Sequence, residues 1–234
     1  MTTAGATAIP PDLAAAGADV AIGSGTGGSA AAVCQAVRRL GRRARDYAHD
    51  LALESGVDAL CDRVKQDFGQ VDILVNHAAI SRDRASQELD KEAWDAVITA
   101  NLTGIFLVTK RFIDAMAERG WGRVINLSGL AGEVGTFGRA NHAAAEAGLI
   151  GLTKALAREY ARTGVTVNAV VPGFIKTRRT ADIPAEALDA VLAITPVGRL
   201  GEPLEIAAGV AFLASPSAGF ITGAVLDING GLSM

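Results

Sequence analysis

Histidine and cysteine are scarce in this chain, three and two residues in 234, and aromatic residues make up only 5% of it. Cys34 and Cys61 stand alone, with neither a C-x-x-C pair nor metal-ligand spacing, which excludes a cysteine-built metal or redox centre. Both fall in helical patterns and read as reduced, packed thiols. His49, His77 and His142 are too isolated to form a ligand cluster, so no metal site is expected. Charge of one sign is also lacking: the formal net charge is only -3, and no long run of like charge occurs. A nucleic-acid groove and an anionic-membrane surface are therefore not expected as partners. The amino-terminal MTTAGATAIPPD has no basic segment followed by an apolar one, and no run of about 18 apolar residues follows. The expectation is a cytoplasmic chain with no membrane association.

What is present is apolar bulk, 50% of residues, enough for one sizeable core. Short apolar runs alternate with helical patterns, the signature of βαβ units and a mainly parallel sheet in a single domain spanning residues 1–234. Strands are predicted at Asp19–Gly23, Ala44–Ala48, Asp72–Asn76, Arg123–Ser128, Val165–Val171 and Ala224–Ile228. Helices are predicted at Ser29–Leu40, Leu53–Phe68, Lys91–Arg119 with a break near Asn101, and Gly138–Ala161. Pro10 and Pro11 push the first helix to a late start near Asp12, because proline lacks the helical donor and clashes with the preceding turn. The irregular stretch Pro172–Pro184 reads as a lid over a site.

The helix GRANHAAAEAGLIGLTKALAREYA carries His142 and Glu146 at i and i+4, one face apart by a single turn and close enough to pair. An imidazole beside a carboxylate is a proton-transfer arrangement, or a simple ion pair. Ser128 offers a hydroxyl near the pair, although no third partner completes a hydrolase triad. The dispersed Arg119, Arg123, Arg158 and Arg162 offer a positive edge that an acidic carrier protein could meet.

The blocks LAAAGADVAI, NLTGIFLVTK, GRVINLSG, GLIGLTKALAREYA, GVTVNAVVPGFIKT, GRLGEPLEIAAGVAFLAS and ITGAVLDINGG resemble the short-chain dehydrogenase/reductase superfamily, most of all its 3-oxoacyl-acyl-carrier-protein reductases. The resemblance covers nearly the whole chain and implies a Rossmann-like, doubly wound α/β fold. It also implies a catalytic S-x12-Y-x3-K set with an asparagine on the preceding long helix. In this chain Asn101 matches the asparagine, whereas Gly129, His142 and Glu146 occupy the serine, tyrosine and lysine positions. Ser128 lies one residue short of the catalytic slot.

The cofactor end departs from the family as well. The glycine-rich turn that should present amides to a pyrophosphate is absent from the amino-terminal residues, where Gly5 is the sole glycine. Too few residues precede the first helix to build the family's first strand, which is central in its sheet. Its absence would leave neighbouring strands unpaired unless Thr2–Ile9 or another chain fills the gap. The stretch Gly23–Gly28 lacks the acidic or basic residue that selects between the two nicotinamide nucleotides, and NHAA stands where the family has NNAG. Asp50, Asn76, Pro172, Gly173, Ile175 and Thr177 match cofactor-contacting positions, although Asp50 can equally cap the helix after it. A carboxylate in place of a lysine beside an anionic nucleotide should repel it, each unit of charge being worth about 4 kcal/mol at ~4 Å and an effective dielectric near 20.

These substitutions lead to the expectation of a catalytically degenerate, non-catalytic subunit with no cofactor, or NADP if any. It would assemble as a homo-oligomer, or as a hetero-oligomer with a reductase paralogue in fatty-acid or polyketide biosynthesis, with an acyl carrier protein as a further partner. The helices Leu102–Arg119 and Asn141–Arg162 are the expected interface. Two enzymatic alternatives stand beside it: a non-redox acyl-thioester catalyst, of dehydratase or isomerase type, using His142 and Glu146, and an atypical NADPH-dependent 3-oxoacyl-carrier-protein reductase.

Overall fold

The computed structural model describes the backbone of residues 4–25, 30–177, 180 and 184–234. All six predicted strands form, at β1 Val20–Ser24, β2 Ala44–Ala48, β3 Ile73–Asn76, β4 Gly122–Leu127, β5 Val165–Pro172 and β6 Val225–Ile228. Every pairing is parallel. The strands form two sheets, β1-β2 and β3-β4-β5-β6. The architecture is the expected Rossmann-like α/β arrangement, its strands divided among the described residues between two sheets.

The carboxyl-terminal sheet is the centre of the molecule. Its strands β4 and β5 are buried along almost their whole length, as continuous Val/Ile runs demand when helices cover both faces. On one face Val124, Val165 and Val167 pack with Phe112, Ile113 and Met116. On the other, Ile125, Leu127 and Val170 pack with Ile206, Val210 and Leu213. The helices in chain order are α1 Ala4–Ala15, α2 Ala31–Arg39, α3 Glu54–Phe68, α4 Lys91–Ile98, α5 Gly104–Glu118, α6 Ala131–Val134, α7 Ala140–Tyr160, α8 Ala185–Ile194 and α9 Pro203–Ala214.

Three expectations change. First, α1 begins at Ala4 and contains Pro10 and Pro11 rather than starting behind them. Its buried Ile9 joins α9 in the second core cluster, and packing outweighs a local penalty of about 3 kcal/mol per interior proline. Because Ala4–Ile9 is helical, it does not add a strand between the two sheets. Second, the break expected near Asn101 takes the form of a π-helical turn at Thr99–Thr103, which joins α4 to α5 without ending the helical run Lys91–Glu118. At 28 residues that run is long and apolar enough to cross a bilayer by length and composition, contrary to the sequence reading. Here it is a core helix, with Val108, Phe112, Ile113 and Met116 buried. Third, Arg123 is only 3% exposed, stacked over Trp121 at 4.6 Å and donating to the Gly122 carbonyl, so no edge of four exposed arginines exists. Cys34 and Cys61 are both buried and free, and burial pushes the Cys61 thiol up to about 11. Part of the expected lid, and much of Gly23–Gly28, lies outside the described residues.

Candidate active site

The π-turn sets the first component of the site. By adding a residue to the helical turn it directs Asn101 inward, where only 3% of the residue is exposed; such turns recur at functional sites. Asn101 Oδ1 accepts from the Ile80 amide at 2.8 Å, and Nδ2 donates to the Ile80 carbonyl at 2.9 Å. The same Nδ2 lies 3.4 Å from His142 Nδ1. With the amide donating, Nδ1 is the acceptor and the imidazole proton sits on Nε2.

His142 Nε2 is 3.3 Å from Glu146 Oε1, and both side chains are almost enclosed, at 12% and 8% exposure. Asn141, fully buried, holds this first turn of α7 in place: Nδ2 donates to the carbonyls of Arg82 and Ala93, and Oδ1 accepts from the His142 amide at 2.8 Å. The sequence reading passed over Asn141. The available signal was a polar residue beside the reacting position on an otherwise Ala-rich helix.

Burial pushes the Glu146 carboxyl up to about 7, with Ser128 and Arg139 pulling the other way. This corrects the electrostatic reading of the sequence. Near neutral pH the group is protonated about half the time, so a fixed negative charge does not confront a nucleotide. Glu146 Oε2 is buried and has no hydrogen-bond partner among the described residues. Gly129 faces it: a side chain added there would meet the carboxyl at 3.5–3.8 Å, ordinary contact. Ser128 Oγ donates to the Glu146 carbonyl at 3.1 Å, which engages its hydroxyl with the α7 backbone. Asn101, Gly129, His142 and Glu146 thus converge as the sequence spacing suggested.

The cofactor candidates separate. A cleft of about 1270 Å³ runs past the carboxyl ends of β1 and β3 and is lined by Ser24, Gly25, Asp50, Asn76 and His77. It reaches Ile80 and Ala100, the neighbours of Asn101. Gly173 and Ile175 instead line a second cavity of about 420 Å³ that holds neither Pro172 nor Thr177. Asp50 does not cap α3; its Oδ1 accepts from the Ala52 amide at 2.9 Å, while Leu53 stands at the cap position without a side-chain bond. Asn76 is committed to the core, Nδ2 donating to Thr109 Oγ1 and Asn126 Oδ1 at 3.0 and 2.8 Å. Gly173 needs its missing side chain, because a Cβ would stand 2.6 Å from the Asn229 carbonyl oxygen. Thr177 bonds within its own turn, to Thr180. Burial pushes the His77 imidazole down to about 4, so it is neutral near pH 7. Among the described residues no group of three His, Cys, Asp or Glu side chains could hold a metal.

The crevice outside the carboxyl ends of a parallel sheet is where open α/β folds take nucleotides, and a family model described as enoyl-(acyl carrier protein) reductase matches residues 5–233. The chain belongs to the short-chain dehydrogenase/reductase family. It is 50% identical over 173 residues to the acetoacetyl-CoA reductase of Cupriavidus necator, covering 74% of this chain and 70% of the relative. Against the 3-oxoacyl-[acyl-carrier-protein] reductase FabG of Vibrio cholerae it is 45% identical over 195 residues, 83% of this chain and 80% of the relative. Against the FabG of Escherichia coli it is 42% identical over 228 residues, covering 97% and 92%. Relatives this similar along most of the chain carry reductase names. That finding overturns the expectation of a non-catalytic subunit and leaves the expected absence of a cofactor without support. It also leaves the dehydratase or isomerase alternative with no observation in its favour.

Proposed function

We propose that the chain is an NADP(H)-dependent reductase of 3-oxoacyl thioesters, carried on coenzyme A or an acyl carrier protein, whose proton is delivered by the His142–Glu146 pair. The observation that carries this reading is the enclosed His142–Glu146 contact beside Asn101, in a chain whose relatives reduce that class of ketone by name.

The residues present suit the nucleotide at two points. Ser24, Gly25 and Asp50 stand along the strand ends where an adenosine would lie. The unpartnered Glu146 Oε2 is a buried acceptor that a ribose hydroxyl would satisfy. When bound, the nicotinamide supplies the hydride. The protein supplies the proton: the Glu146 carboxyl, pushed up to about 7 by burial, carries it, and the imidazole 3.3 Å from Oε1 holds that carboxyl in place. A donor whose pKa lies near the working pH is well matched to general acid catalysis. A rate that depends on this proton falls as pH rises through about 7, where the carboxyl loses it. Asn101 fixes the imidazole by bonding Nδ1 and anchors the Ile80 loop against the cleft. We place the protein in the cytoplasm and its assembly on the faces of α5 and α7, where Phe106 is 40% exposed.

The test is ketone-dependent oxidation of NADPH with acetoacetyl-CoA as substrate. Wild-type protein should turn over, and His142→Ala should lose at least about a hundredfold in kcat, the lower range for a general acid. Absence of ketone-dependent oxidation in the wild type, or an unchanged kcat in the variant, would reject the assignment. Trp121 lines the cleft, so saturable quenching of its fluorescence by NADPH reports binding separately from turnover.

A further inference from the structure

The loop after β3 is tied to the start of α7 residue by residue. Asn101 holds both backbone groups of Ile80, and Asn141 Nδ2 donates to the Arg82 carbonyl. Arg139, the residue that opens α7, takes the positions on either side of Arg82: Nη2 donates to Ser81 Oγ at 3.2 Å, and Nε lies 3.1 Å from Asp83 Oδ2. The turn before it fits the same loop. Gly138 has a φ of +74°, and a Cβ there would stand 3.8–3.9 Å from the backbone of Arg84 and Ala85.

Stability alone gives Arg139 little reason to be there. The Arg139 and Asp83 side chains are 25% and 40% exposed, and ion pairs that wet add little to folding. A cation also stands at the unfavourable end of a helix here, because the amino terminus carries the positive end of the helix dipole, and the side chain makes no capping bond. Its place along α7 gives it another use. Arg139, His142 and Glu146 are spaced i, i+3 and i+7, and the Ala143 amide donates to the Arg139 carbonyl at 2.8 Å, so helical spacing already holds at Arg139. The three share one face, and side chains on a helix lean toward its amino terminus, Glu146 toward His142 and His142 toward Arg139.

We propose that Arg139 is a positioning residue for the proton donor: it locks the loop carrying Ile80 and Asp83 against α7, and its charge, partly offset by Asp83, acts along this helix face on the Glu146 carboxyl. The other elements around Glu146 leave that role to Arg139. Ser128, Gly129 and Gly132, which approach from the end of β4 and from α6, are uncharged, and β5 carries no charged residue. Glu133 of α6 and Glu92 of α4 are exposed, and Lys91 is paired with Asp95. In the loop Arg82 is exposed and Arg84 is paired with Asp90. Arg123 lies at the far end of β4, and Lys154 and Arg158 lie two turns or more further along α7. Arg139 pulls the carboxyl down against the upward push of burial.

The test reads the carboxyl directly, by carbon-13 NMR of protein labelled at the glutamate side-chain carbons, with Glu146→Gln identifying the resonance. In the wild type it should titrate near 7. Arg139→Gln, which keeps a donor for Ser81 but loses the cation, should move that titration up by about half a pH unit or more. Asp83→Asn removes the offsetting anion and should move it down, by roughly a few tenths of a unit. Arg139→Lys keeps the charge and should stay close to the wild type. Opposite shifts are the signature, because a merely structural pair would give the same result whichever partner is lost. Shifts of one sign in Arg139→Gln and Asp83→Asn, or no shift in Arg139→Gln, would overturn the proposal. It deepens the reductase reading and rests on it only for the accompanying movement of the kcat profile: opposite NMR shifts without ketone-dependent oxidation of NADPH would uphold the role of Arg139 and reject the reductase.

Discussion

The two sheets are built from similar sequence material and have different fates. In the four-stranded sheet, β4 and β5 are buried on both faces and their side chains divide between two core clusters. In the two-stranded sheet, β1 alternates half-buried and exposed positions and relies on a small cluster of Ala14, Cys34, Val37 and Ala44. A parallel strand owes its stability to neighbours on both edges and cover on both faces. Among the described residues both sheets have an unpaired edge, at β1 and at β3, but only the smaller sheet has little else to hold it. The groups proposed to deliver the proton sit on the robust half, and the strand ends proposed to face the nucleotide on the weaker one.

The largest expected contrast comes from one substitution made in both halves. Ile125→Ala, at 1% exposure between packed helices, should cost about 2–5 kcal/mol in denaturant unfolding. Ile22→Ala on half-buried β1 should cost well under half as much, and equal costs would abolish the distinction between the sheets. Next comes Glu146. Its folded pKa of about 7 lies above the ordinary 4.5, so its contribution is fully present below about pH 4.5 and is lost as pH rises through about 7. Relative to Glu146→Gln, the wild type should therefore lose about 3 kcal/mol across that window, from 1.36 kcal/mol per pKa unit. Parallel stability curves for the two proteins would show that the carboxyl is not held up by burial. Smallest is Asn76→Ala, which leaves Thr109 and Asn126 short of a buried donor and should destabilise by about 1–3 kcal/mol. That loss should appear without a selective effect on nucleotide affinity; a large rise in the NADPH Kd at unchanged stability would return Asn76 to the cofactor site.

How much of this was legible in the sequence depends on the range of the interactions. The six strands could be read because apolar runs bounded by turn residues are a local signal. The His142–Glu146 contact could be read because i and i+4 share a helix face. The start of α1 could not, since its prolines are held by packing of Ile9 against α9, nearly 200 residues downstream. Asn76 resembled a cofactor residue, but its partners Thr109 and Asn126 lie 33 and 50 positions away. The charge of Glu146 was misjudged for a related reason. A formal charge is visible in sequence, whereas the desolvation that reduces it exists only once α7 has packed over β4.

The most direct test of the account is the pH dependence of kcat for acetoacetyl-CoA reduction by the wild type and by Glu146→Gln. A proton held by the His142–Glu146 pair predicts a wild-type kcat that falls as pH rises through about 7, with that inflection moved or lost in the variant. Identical profiles for the two proteins would contradict proton delivery by this pair.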